Sequence, residues 1–135
     1  MVLESDEKLV KEGRTISIIT YGMGVYWAKN AAKEFPGQVE IIDLRTLVPL
    51  DEEMIFASVR KNSKCIVVTE EPAVSTFGQA LSGRIQRACF QHLDAPVEVV
   101  GSANLPAIPL NSTLEKEMIP SAEKVAKAIG EMLKY

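Results

Sequence analysis

The stretch TISIITYGMGVYWAKNAAKEF, residues 15–35, decides the fold class. Thr15-Ile16-Ser17-Ile18-Ile19-Thr20 is a run of β-branched residues with the length and apolarity of a buried strand. Gly22-Met23-Gly24 breaks it, and Val25, Ala28, Ala32 and Phe35 then recur at the spacing of one helix face. A strand therefore turns directly into an amphipathic helix. The alternation continues outward. Val39-Glu40-Ile41-Ile42-Asp43 reads as the next strand, and Asp51 as the cap of a helix carrying Met54, Ile55, Ser58 and Val59, with Glu52 and Glu53 at its positive end. Cys65-Ile66-Val67-Val68-Thr69 is a third buried strand. Thr76-Phe77-Gly78-Gln79 has the form of a capping box ahead of a stripe of Phe77, Leu81, Ile85, Ala88, Cys89 and Leu93. Val97-Glu98-Val99-Val100 is the fourth. This is the α/β class, a parallel sheet with helices on both faces.

The flanks are weaker. Residues 1–7 read as a disordered polar leader, and Lys8-Leu9-Val10-Lys11 with Glu12-Gly13 as a short edge strand and turn. A Pro-punctuated stretch over residues 101–120 holds at most one short helix, around Leu114 to Met118. Ser121 caps the last helix, with Val125, Ile129, Met132 and Leu133 inward and Lys124, Lys127 and Lys134 outward.

A chain of 135 residues, 47% apolar and 24% charged, suits a single core. A net charge of −3 and a pI near 5.2 lack the basic field that nucleic acid demands. No apolar run approaches the ~20 residues that cross a bilayer, and the charged N-terminus does not resemble a signal peptide. The reading is cytoplasmic, with no nucleic acid and no membrane. Cys65 and Cys89 lack metal or redox spacing and read as buried thiols. The one histidine, His92, excludes a two-His metal site and reads as a surface or capping residue.

Three features stand as candidates for function. The turn at Gly22, Gly24 and Val25 resembles a dinucleotide loop but has Trp27 where that loop has its third glycine. It reads foremost as a tight βα turn, with an anion at the helix start as the functional alternative. Glu70 and Glu71 end a strand at the ligand-binding edge of such sheets, and their expected task is to hydrogen-bond loop backbone or lie at an interface. Tyr26 and Trp27 sit on a helix whose core face is already supplied, so one of them faces outward as a candidate interface anchor.

Several segments in matching order, DLRTLVPLD (residues 43–51), VVTEEP (67–72), HLDAPVEVVGSANLPAIP (92–109) and LEKEMIP (114–120), resemble one family. It is the C-terminal, transketolase-C-terminal-like domain of the β subunit of thiamine-diphosphate-dependent 2-oxo acid dehydrogenases, of the pyruvate and branched-chain (2-oxoisovalerate) types. The resemblance spans residues 8–135. It implies a three-layer α/β/α sandwich whose five-stranded, mostly parallel sheet has one antiparallel edge strand, which agrees with one weak and four buried strands counted above. In the family, thiamine diphosphate and magnesium are bound elsewhere, and this sequence has neither the Gly-Asp-Gly…Asn diphosphate-magnesium motif nor the catalytic histidines. The resemblance thus implies a domain with no catalytic, cofactor-binding or metal residues of its own, expected as a fragment of a longer or fused chain. Its implied partners are the α subunit or a fused α region, a second β subunit, and the small basic subunit-binding domain of the dihydrolipoyl acyltransferase. The residues carried over for that docking are Asp94 and the carboxylate at Tyr135. YGMGVYWA leans toward the branched-chain type. The alternatives are a free-standing ligand-binding or regulatory domain of the same fold, and the equivalent domain of a transketolase-like enzyme.

Overall fold

The computed structural model describes residues 1–45, 47, 50–73, 76–102 and 120–135. Among them the strands are β1 (Ile16–Thr20), β2 (Val39–Asp43), β3 (Cys65–Pro72) and β4 (Glu98–Ser102), all parallel, in the order β2-β1-β3-β4. The helices are α1 (Glu7–Lys11), α2 (Met23–Ala32), α3 (Glu52–Asn62), α4 (Phe77–Cys89) and α5 (Ala122–Met132), with a 3-10 turn at Phe90–His92. Residues 103–119, which include the expected short helix around Leu114 to Met118, lie outside the described residues.

Two cores sandwich the sheet because strand side chains alternate between faces. Along β3, Ile66 and Val68 join Ile16, Ile18, Val39 and Ile41 in a core with Ala28, Ala31, Val125 and Ile129 of α2 and α5. Cys65 and Val67 enter the opposite core, with Ile19, Ile42, Ile55 and Val59 of α3 and Leu81 and Ile85 of α4. The stripes read from the sequence thus face inward, except that Met54 and Ala88 are exposed. Asp51 caps α3 through Met54 N–H at 3.2 Å, and Ser121 caps α5 through Lys124 N–H at 3.3 Å.

Three expectations are corrected. The sheet has four parallel strands among the described residues rather than five with an antiparallel edge strand. The segment read as that edge strand is helix α1, because Asp6 accepts from Lys8 and Leu9 N–H and so caps a first turn. The antiparallel contact at the β2 edge is a single bridge between Leu3 and Ile41. Finally, Thr76 does not close a capping box: its hydroxyl donates to the Pro72 carbonyl at 2.6 Å and makes no bond to the helix.

The residues read as a leader lie along β2. Val2 N–H donates to Ile41 O at 2.9 Å, Ile41 N–H to Leu3 O at 2.9 Å, and Asp6 N–H to Gly37 O at 2.8 Å. Ser5 is buried there.

Candidate functional site

The sheet connections diverge between β1 and β3. The chain leaves β1 for β2 on one side and β3 for β4 on the other, which opens a crevice at the C-terminal edge where such sheets take ligands. Here the helix start at the floor of that crevice is taken by the protein's own acid, and the crevice above it stays open. Glu70, at the end of β3, accepts the Met23 N–H of α2 at 3.0 Å, placing a carboxylate on the positive end of the helix. Gly24 N–H donates to Tyr21 O and Val25 N–H to Gly22 O, each at 3.2 Å. A ligand anion at Gly22, Gly24 and Val25 would have to displace these partners and sit beside Glu70. Glu70 thus bonds backbone, as expected, but at the first residue of α2 rather than in a loop. Glu71 N–H turns to Thr69 Oγ1 at 3.1 Å, and Tyr21 OH lies 2.9 Å from the same oxygen.

The two glycines have different reasons. Gly22 has φ +60°, a backbone that side-chain-bearing residues avoid. Gly24 is where helix meets sheet: a Cβ there would collide with Thr20 Oγ1 and come within 3.3 Å of the Val68 carbonyl oxygen. Close packing is thus achieved two residues into the turn, and Trp27, half-buried against the α2/α5 core, is free to be large. Tyr26 beside it is 62% exposed, so of this aromatic pair it is the one that faces outward. With Gly22, Val25 and Glu70 of the crevice, and with Asp43, Arg45 and Met1, it borders an open cleft of about 760 Å³.

The opposite edge of the sheet carries Asp94. Its N–H donates to Ser63 O at 2.8 Å, and its carboxylate faces Lys64 Nζ at 3.5 Å. Lys64 is 1% exposed and also donates to Gly13 O at 2.9 Å, so one buried ammonium ties the approaches to β1, β3 and β4. Half of the Asp94 side chain remains in solvent. Gly130 in α5 packs toward Phe35, which follows α2 and precedes β2. The final helix therefore runs toward the edge of the sheet that bears Asp94, and exposed Tyr135 lies just beyond its end.

One cluster was not anticipated. Glu40 is fully buried on the α3 face, next to Ser17 in strand register. Ser58 Oγ donates to it at 2.7 Å, Lys61 pairs with it, and Ser5 Oγ donates at 3.2 Å and also reaches Asn62 Oδ1 at 2.9 Å. Burial disfavours the charge, but Lys61 and the Ser58 and Ser5 hydrogen bonds outweigh it and hold the carboxyl below its ordinary value of 4.5. The signal was present in the alternation of β2, since Glu40 shares its face with Ile42. Cys65 and Cys89 are free and buried, and desolvation pushes both thiols up.

Residues 6–125 match the family model for the transketolase C-terminal domain. The chain is 43% identical over 98 residues to the 2-oxoisovalerate dehydrogenase subunit beta of Pseudomonas aeruginosa, covering 73% of this chain and 28% of that protein. It is 32% identical over 131 residues to the pyruvate dehydrogenase E1 component subunit beta of Rickettsia felis, covering 95% of this chain and 40% of that protein. The chain thus spans well under half the length of these relatives. A split-gene transketolase, solved as an inactive beta4 tetramer, superposes with a TM-score of 0.71 at 20% identity, over 90% of this chain and 40% of that one, and so shares the fold. With four parallel strands between two helical layers and a family match over nearly its whole length, the chain belongs to the transketolase C-terminal domain family.

Proposed function

We propose that this chain serves assembly in a thiamine-diphosphate-dependent 2-oxo acid dehydrogenase, as the domain through which a β subunit associates with its neighbours and docks the dihydrolipoyl acyltransferase. The observation that carries this reading is the half-exposed Asp94 carboxylate, held in place by Lys64, while at the switch-point crevice the Glu70 carboxylate takes the Met23 N–H that a ligand anion would need. Asp94 is half-exposed, its backbone pinned at Ser63 and its carboxylate held by Lys64, and a pre-positioned carboxylate favours fast, registered encounter with a basic partner more than raw affinity. Tyr135, at the end of α5, lies toward the same edge. Exposed Tyr26 supplies an anchor for an α or second β subunit on another face.

Thiamine diphosphate and magnesium do not fit the residues present. Among the described residues no three His, Cys, Asp or Glu side chains converge to hold a metal, and the Gly-Asp-Gly…Asn motif is missing from the sequence. The cofactor and the decarboxylation belong, in this reading, to the other parts of the enzyme. The lean toward a branched-chain substrate for the whole enzyme rests on the YGMGVYWA stretch and on the 43% identity to one 2-oxoisovalerate dehydrogenase subunit, since pyruvate and other 2-oxoisovalerate subunits match at 32–34% alike.

The test is Asp94→Asn in the complete enzyme. Acyltransferase docking is expected to weaken by about tenfold at low salt and by less as salt rises, because the lost contact is ionic. Decarboxylation with an artificial electron acceptor stays at the wild-type rate. Unaltered docking, with an unchanged salt dependence, refutes the assignment.

A further inference from the structure

The C-terminal turns of α3 and α4 and the 3-10 turn after them border an open cleft of about 490 Å³, lined by the exposed residues Arg60, Arg87, Ala88, Phe90, Gln91 and His92. No carboxylate is among these residues, although the chain as a whole carries a net charge of −3. Both guanidiniums are also without a counter-ion: the ion pairs among the described residues engage Arg14, Arg45, Lys61, Lys64 and Arg84, and neither Arg60 nor Arg87. Arg60 lies instead over the Phe56 ring, 5.9 Å from its centroid, a contact that restricts the stem and leaves the planar fork open.

A basic residue in the last turn of a helix is accounted for by the helix dipole. That explains one arginine on α3 and one on α4. It does not explain why both open into one cleft with a histidine and a glutamine, or why the rim carries Phe90 with 69% of its surface in water. Two guanidinium forks arriving from different helices, joined by an imidazole N–H, offer donors to several oxygens of a tetrahedral oxyanion. A lone carboxylate is satisfied by one fork. The volume falls in the range of small-molecule sites and exceeds what the anion alone fills.

We propose that this cleft binds a phosphate monoester, with the phosphate on Arg60, Arg87 and His92 and the organic group over Phe90 and Ala88. The site stands on the face of α3 and α4, at the end of the sheet away from the Glu70-capped crevice, and it rests on side chains that the assembly reading does not use.

His92 is the one histidine, so its imidazole proton resonances report on the cleft without overlap. The chain is titrated at pH 7 and constant ionic strength with inorganic phosphate, with adenosine 5′-monophosphate, and with succinate, a dicarboxylate carrying at least as much charge. Saturable displacement of the His92 resonances by phosphate is expected, with a lower midpoint for the monophosphate ester. The midpoint should rise at least tenfold in the Arg60→Gln/Arg87→Gln double variant. Should that variant fail to fold, each single variant is expected to raise it severalfold. A displacement that is absent or linear in concentration, one that succinate reproduces at the same midpoint, or one that survives the arginine replacements overturns the proposal.

Discussion

At Gly24 helix α2 touches the sheet, and a single missing side chain sets the distance between them. Gly24→Ala would drive a Cβ into Thr20 Oγ1, whose own hydrogen bond to Val68 O, at 2.9 Å, keeps it from rotating away. We expect a loss of about 1–3 kcal/mol in urea unfolding, the cost of overpacking a dense contact. The same replacement at Gly83, within α4 and with nothing within 4 Å, should instead stabilise by about 0.5–1 kcal/mol, because alanine is the better helix former. Equal effects at the two positions would show that packing is not what Gly24 supplies. The glycines were visible in the sequence as a turn. Which of them admits close approach was not, since that depends on where Thr20 and Val68 bring their oxygens. Asp94 shows the same divide: its identity was legible, while the buried Lys64 that pins it, from 30 positions away, was not.

Among the elements, β2 is held from three directions by the Glu40 cluster. Ser5 comes from the N-terminal strand-like segment, Ser58, Lys61 and Asn62 from α3, and Ser17 from β1. Glu40 titrates below 4.5 in the folded chain and at its ordinary value when unfolded, so its contribution is complete above that value and is lost as pH falls through the folded pKa. Wild type should therefore exceed Glu40→Gln in stability at pH 7, by about 1–2 kcal/mol. The upper range of about 3–5 kcal/mol for breaking buried pairs is discounted because Lys61 is 41% exposed. Denaturant unfolding at pH 7 and at pH 3 tests the sign: the gap must shrink in acid, and a constant gap would assign the effect to packing. The helices and four strands were legible because their periodicities are local. Helix α1 was misread because a run as short as EKLVK carries no decisive period, and what settles it is the Asp6 carboxylate on two N–H groups together with the docking of Asp6 N–H on Gly37.

Over the whole molecule, the stripes of α2 and α5 and of α3 and α4 are spent on the two cores, and Tyr26 is left outside as the outward half of an aromatic pair. If it anchors a neighbouring subunit, Tyr26→Glu should weaken association in sedimentation of the assembled enzyme while leaving thermal unfolding of the chain within about 0.5 kcal/mol, the usual range for a surface change. Intact association would remove Tyr26 from the interface. By itself the sequence determined the α/β class, the four strands, the inward stripes, the caps at Asp51 and Ser121 and the family, because each is written in residues close together in the chain. The tertiary structure alone decided the strand order, the seating of Glu70 on the start of α2 at the switch point, the burial of Glu40 and Lys64, and the opening of Arg60 and Arg87 into one cleft. Those are contacts between residues tens of positions apart, and the register of four strands brings them together.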